Sequence, residues 1–161
     1  VRVICPHAGP IAVEVSRGLN ATGRAWATAD VSASDTAYTL LLQELWEQGE
    51  TFAIVEHDIV IRPDTLDAFE DCDQPWCSYT YPFRDTHIAG LGCTRFRAEL
   101  LAAHPDAVAK TWRETTAVHP AGNWCNLDQR LTNALVAAGA TRHLHGPPVG
   151  HLNPMPTHGC G

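Results

Sequence analysis

Thr51-Phe52-Ala53-Ile54-Val55, running directly into Glu56-His57-Asp58, is the stretch that decides the fold. An unbroken apolar run of strand length, with no polar face, fits a strand covered on both sides, as in a central parallel sheet. The run ends in two carboxylates at i and i+2. In an open α/β sheet the carboxyl ends of the strands are where ligands bind. Two acids at that spacing can aim at one ion. A hard divalent cation, Mn²⁺ or Mg²⁺, takes oxygen ligands and bridges diphosphates. An ordinary polar strand end is the plain alternative.

The residues upstream repeat the strand-then-helix pattern. Val1-Arg2-Val3-Ile4-Cys5 reads as a first strand. Pro10 suits the first turn of a helix carrying Ile11, Val15 and Leu19, with Gly18 and Gly23 marking its exit. Arg24 to Val31 reads as a second strand, broken by Ser32-Ala33-Ser34-Asp35. Ser34 or Asp35 can cap the next helix, on which Tyr38, Leu41, Leu42, Leu45 and Trp46 share one face and which Gly49 ends. The order β-α-β-α-β predicts a single α/β domain: a central mixed, mostly parallel sheet with helices on both faces.

Downstream, Pro63 opens a short helix with Leu66 and Phe69, and Trp76 to Tyr81 is a strand stopped by Pro82. Gly90-Leu91-Gly92-Cys93-Thr94 is a tight glycine segment, followed by a helix through Leu100 and Leu101 to His104. A last helix carries Leu127, Leu131, Leu135 and Ala138. The stretch from Arg142 is rich in His, Gly and Pro and is expected to be a loop.

The 161 residues suffice for one domain with one core. With 45% hydrophobic and 18% charged residues the chain is globular rather than disordered, and its net charge of −7 excludes a wholly basic nucleic-acid wrapper. Residues 1–73 carry a balance of −9 and residues 74–161 a balance of +2, with seven of the nine His in the second part. That asymmetry suits a metal in the acidic half and an anionic partner facing the other; chance with solvated helix faces is the plain alternative. No apolar run is long enough to cross a membrane, and no basic segment leads into an apolar stretch at the start, so neither a membrane span nor a signal peptide is expected. The six Cys form no CxxC pair, and Cys72, Cys77, His87 and Cys93 match no zinc spacing. Reduced, mostly buried thiols and a cytoplasmic location are the expectation.

The segment from Glu56 through Asp58 to Arg62-Pro63-Asp64 resembles the metal-binding motif of GT-A glycosyltransferases, an Asp-x-Asp-type strand end followed by a short helix, with Glu in place of the first Asp. Three further segments look like GT-A motifs in the expected order. They are the glycine segment Gly90 to Arg97, the helix opening Asn126-Leu127-Asp128, and the His-rich stretch His143 to Asn153. The resemblance implies a GT-A-like domain over the whole chain and a nucleotide-sugar donor, a UDP-sugar. The donor would lie across Cys5, Pro6 and His7 after the first strand and Asp30 after the second, with Glu56 and Asp58. It implies Mn²⁺ or Mg²⁺ held by Asp58 and Glu56 with His151, or with His145 as its competitor. It implies an acceptor side built from Gly90, Gly92, Arg95, Trp124 and Asp128. Asp128 would act as the base toward an acceptor hydroxyl, although the helix macrodipole alone explains an acid in a first helical turn. His57, between the two acids, is expected on the opposite face of the strand.

The short chain is similar to phage-encoded glycosyltransferases, including those associated with TET-type oxygenases. That likeness implies 5-hydroxymethylcytosine in phage DNA as the acceptor. Arg84, Arg95, Arg97, Lys110 and Arg113 would neutralise phosphate and an aromatic would stack on the base. A saccharide or small-molecule acceptor, a non-catalytic sugar-nucleotide or carbohydrate-binding module, and a Cys–His hydrolase built on Cys93 or Cys125 are the alternatives.

Overall fold

The structure is a computed structural model that describes residues 1–34, 36–118 and 127–152. Its first half follows the apolar pattern closely: β1 (Arg2–His7), α1 (Val13–Ala21), β2 (Trp26–Asp30), α2 (Ala37–Gln48), β3 (Phe52–Val55), a two-residue β4 (Ile59–Val60) and α3 (Thr65–Asp71). Helix α2 ends where Gly49 turns into the left-handed region at φ 69°, a conformation glycine adopts without strain. Thr36 is its N-cap residue and makes no side-chain capping bond; Asp35 lies outside the described residues.

The second half adds β5 (Trp76–Tyr79), the hairpin β6 (Tyr81–Phe83) with β7 (Thr86–Ile88), β8 (Cys93–Phe96), α4 (Ala98–Ala103), α5 (Ala107–Val118), α6 (Leu127–Ala137), β9 (His143–His145) and β10 (Gly150–His151). Three expectations are corrected here. Pro82 does not stop the strand region: it sits inside β6, paired with His87 across a two-stranded ribbon where a missing N–H is tolerated. The glycine segment is not wholly a turn, because Cys93–Phe96 forms a fully buried strand. The stretch from Arg142 is not all loop, since β9 pairs parallel with β5 and β10 pairs antiparallel with β4.

The main sheet has the order β2-β1-β3-β8-β5-β9. β2, β1 and β3 are parallel, β5 and β9 are parallel, and only β8 runs against its neighbours. This is the mixed, mostly parallel sheet expected from the sequence. Successive side chains point to opposite faces, so the central strands β1, β3, β8 and β5 each feed two cores. Ile4, Phe52, Ile54, Trp76 and Phe96 pack against α2, α4 and α6 on one face. Val3, Cys5, Val55, Cys77 and Tyr79 pack against α1 and α3 on the other.

Arg95 is a correction to the acceptor side. It is 1% exposed on the α1–α3 face, and its guanidinium donates to the carbonyls of Phe69 (2.7 Å), Cys72 (3.0 Å) and Gln74. These are carbonyls at and just past the C-terminus of α3, which have no partners within the helix and gain from a cation. No phosphate can reach this side chain. Arg95→Met is expected to leave three carbonyls without their donor and to cost about 3 kcal/mol or more. The urea unfolding midpoint measures it; an unchanged midpoint rejects the role.

Candidate active site

The turn after β3 brings the sequence-predicted acids to the carboxyl ends of β1 and β3. Glu56 N–H donates to the Gly92 carbonyl (2.9 Å), and Ile59 N–H closes back on the Glu56 carbonyl (3.0 Å). This fixes Glu56, His57 and Asp58 in one tight turn. They line a cleft with Pro6 and Ala8 from the end of β1, Val31 and Ser34 after β2, and Tyr38 from α2.

Glu56 points inward. Its Oε1 accepts the Tyr38 hydroxyl at 2.6 Å. Burial pushes the Glu56 carboxyl up to about 7; the Tyr38 bond opposes that, and the charges of Asp58 and Asp128 add to it. Asp58 faces His151, with Oδ2 3.2 Å from Nε2. Burial acts to raise Asp58, but the bond and charge of His151 outweigh it and hold the carboxyl below its ordinary value. Burial likewise acts to lower His151, and Asp58 and the Pro82 carbonyl outweigh it, so its pKa is raised.

His151 reaches Asp58 because β10 lies against β4, placing His151 opposite Ile59, and because Leu152 N–H donates to the Asp58 carbonyl (2.9 Å). Its Nδ1 lies 2.7 Å from the Pro82 carbonyl, so Nδ1 carries the proton. Nε2 then faces a carboxylate oxygen either with a second proton or with its lone pair. A neutral ring in this pose sets two acceptors against each other, and only a proton or a cation between them satisfies both. The carbonyl-anchored imidazole beside a carboxylate is also how metal-ligating histidines are oriented. Two carboxylates and one imidazole suit a hard-to-borderline divalent ion such as Mn²⁺ or Mg²⁺. Asp58 and His151 offer donors of the kind such an ion takes, while Glu56, bound to Tyr38, is not brought to ligand distance of both.

Asp128 enters from the first turn of α6. Burial pushes its carboxyl up to about 6, against a hydrogen bond from Leu91 N–H and the charge of Arg142. A Cβ at Gly90 would overlap both Asp128 Oδ2 and the Tyr81 hydroxyl, and one at Gly92 would lie 2.9 Å from the Tyr81 ring. Both glycines are buried, so they do not line an open acceptor cleft. They are there because nothing larger fits beneath Asp128 and Tyr81, a correction to their expected role.

The other expected residues divide. Pro6 lines the cleft. His7 pairs in register with Asp30 at the ends of β1 and β2, where exposed Asp30 accepts Ser32 N–H at 2.9 Å. Cys5 is corrected from donor contact to wall: it is fully buried, and burial with the charges of Glu56 and Asp58 pushes its thiol up to about 12. Cys93 is also fully buried, with its thiol pushed up by burial, which removes it as a nucleophile. His145 is corrected as well, because it groups with Cys72 and His143 rather than with Asp58. Trp124 and Cys125 lie outside the described residues.

Sequence reasoning missed Tyr38, Tyr81 and Arg142. Tyr38 reads as part of an apolar stripe in the sequence, and its hydroxyl is a polar atom on that face aimed at the strand end. Arg142 lies over the Trp76 ring at 4.9 Å and donates to the Ala89 carbonyl, holding a charge near Asp128.

No protein-family model matches the chain, and no curated protein matches it in sequence. Among solved structures it is similar to a glycosyltransferase involved in the glycosylation of the major capsid of PBCV-1. The TM-score is 0.60 at 10% identity, covering 94% of this chain and 92% of that one. The match defines the class of fold: a glycosyltransferase-like mixed α/β domain. The chain is also similar to A197 from STIV, with a TM-score of 0.46 at 16% identity, covering 63% of this chain and 68% of that one, a score too low to establish a shared fold. Among the described residues no helix is long and apolar enough to cross a membrane.

Proposed function

We propose that the protein transfers a glycosyl group from a nucleotide-sugar donor, a UDP-sugar, to a hydroxyl acceptor. The observation that carries this reading is the facing pair Asp58–His151 beside half-buried Glu56, at the strand ends of a glycosyltransferase-like sheet. Asp58 and His151 would hold Mn²⁺ or Mg²⁺, which when bound would neutralise charge on the departing nucleoside diphosphate.

The protein's own groups divide the remaining work. The cleft between Pro6, Val31 and Tyr38 receives the nucleotide. Tyr38 holds Glu56 in one orientation through its hydroxyl. Asp128, ionised above about pH 6, accepts the proton of the acceptor hydroxyl. The acceptor oxygen bonds the anomeric carbon as the bond from that carbon to the diphosphate oxygen breaks.

A saccharide hydroxyl is the acceptor favoured here. The DNA reading needs a basic acceptor side, and Arg95 is buried with its two terminal nitrogens bound to backbone carbonyls while Arg97 donates to the Asp73 carbonyl. The test is to incubate the protein and Mn²⁺ with a panel of nucleotide sugars and three acceptors: simple saccharides, hydroxymethylcytosine DNA and unmodified DNA. Nucleoside diphosphate release and acceptor mass are followed together. The expected result is EDTA-sensitive release with a hexose-sized gain on a saccharide. A gain only on hydroxymethylcytosine DNA restores the DNA acceptor. Donor binding without release in any arm marks a binding module and overturns the reading.

A further inference from the structure

A second cluster of ligating side chains sits three strands away from Asp58, at the β9 edge of the sheet. Cys72 is the C-cap residue of α3, and His143 and His145 occupy positions i and i+2 of β9, so both rings fall on one face. One ligand atom from each of the three lies within 4.8 Å of the others. With strands about 4.8 Å apart, the cluster is on the order of 14 Å to the side of β3.

The geometry of the cluster is set by its surroundings. The His145 ring stacks on Tyr79 with centroids 5.0 Å apart and meets Phe69 edge-on at 5.8 Å. Its Nε2 is buried, yet it has no hydrogen-bond partner among the described residues. A buried ring nitrogen left unpaired is costly and is the group a metal would satisfy. The His143 ring stands edge-on to His145 at 4.6 Å and is exposed, which leaves an entry from solvent. Arg95 donates to the Cys72 carbonyl and so fixes the backbone that presents the thiol. Burial, His143 and Arg95 all hold His145 below its ordinary pKa, so the ring is neutral and its lone pair is free near pH 7.

We propose that Cys72, His143 and His145 form a zinc site separate from the carboxylate site. One sulfur and two imidazole nitrogens are a borderline-soft set that selects Zn²⁺ over Mg²⁺ or Mn²⁺, and three protein ligands leave the fourth tetrahedral position to water. On binding, the Cys72 S–H bond breaks, the proton goes to solvent and the sulfur bonds the metal. The ion ties the end of α3 to β9. From β9 the chain runs through Pro147 and Pro148, whose carbonyls accept from Arg62, to His151. The site shares no residue with the proposed transfer chemistry and stands or falls without it.

The test uses the metal-free full chain, titrated with Zn²⁺ against a chromophoric chelator and with Co²⁺ as the spectroscopic probe. The expected result is a near-ultraviolet thiolate-to-Co²⁺ band that Cys72→Ser removes. His143→Ala, at an exposed edge position where folding is little affected, should weaken Zn²⁺ binding at least about tenfold. Asp58→Asn should leave the thiolate-to-Co²⁺ band unchanged. A Co²⁺ complex without the thiolate band, an unchanged Zn²⁺ affinity in His143→Ala, or loss of the band in Asp58→Asn overturns the proposal.

Discussion

Asp58→Asn is expected to remove sugar transfer, by at least about a thousandfold in kcat, while the chain still folds. The amide keeps the shape of the carboxyl but loses the charge that faces His151 and that a divalent ion would need. The stability change should depend on pH in a defined way. The folded pKa of Asp58 is lowered, so its contribution is present above its ordinary value of 3.8 and lost as pH falls through the depressed one. That of His151 is raised, so its contribution is complete below 6.5 and lost as pH rises through the raised value. The pair therefore stabilises most between about pH 4 and pH 6.5, by about 1 kcal/mol for a partly solvated ion pair. Thermal melts of the variant across pH should show the deficit in that window and little above pH 8. Full activity in the variant, or a deficit that grows with pH, rejects the assignment.

Asp128→Asn is expected to lower kcat by about 10²–10⁴ and, at alkaline pH, to raise stability. Both follow from burial. The native carboxyl titrates at about 6, so the activity of the unaltered protein should fall below that pH as the base becomes protonated. Keeping the same group ionised in the folded chain costs stability that accrues as pH rises from 3.8 to about 6 and is complete above it. At about 1.4 kcal/mol per unit the cost is at most about 3 kcal/mol. Asparagine still accepts from Leu91 N–H and carries no charge. The variant should melt higher than the native chain at pH 8 and not at pH 4. A variant that is both active and no more stable at pH 8 removes Asp128 from the role of base. A site residue that costs stability is what a trade between function and stability leaves behind.

The sequence made the first half of the fold legible because its apolar spacing is decisive. Phe52–Val55 has no polar face, and Tyr38, Leu42, Leu45 and Trp46 repeat at helical intervals. The second half hides its strands. Cys93–Phe96 holds an arginine at a buried position, which reads as surface until α3 supplies the three carbonyls that satisfy it. His143–His145 is three residues long and lies at an edge, too short for periodicity to register and flanked by Gly and Pro. Helix α5 escaped because buried Thr111 and Thr115 stand where an apolar stripe is sought. At the site, Glu56 and Asp58 could be read because they follow the clearest strand. Which histidine joins Asp58 could not, since His145 and His151 are separated by a single turn of chain that sends them to different partners.

The pairing of β10 with β4 sets a schedule for the birth of the site. His151 and Asp58 are 93 positions apart, and among the described residues β9 follows six helices before it returns to β5. The β1–β3 unit has local connections and can form early, while contacts of such sequence separation close late. Until residues 143–151 dock, Glu56 and Asp58 stand at the strand end without an imidazole. A chain cut before residue 143 would therefore lack the imidazole at these strand ends, and the site is complete only when β10 pairs with β4.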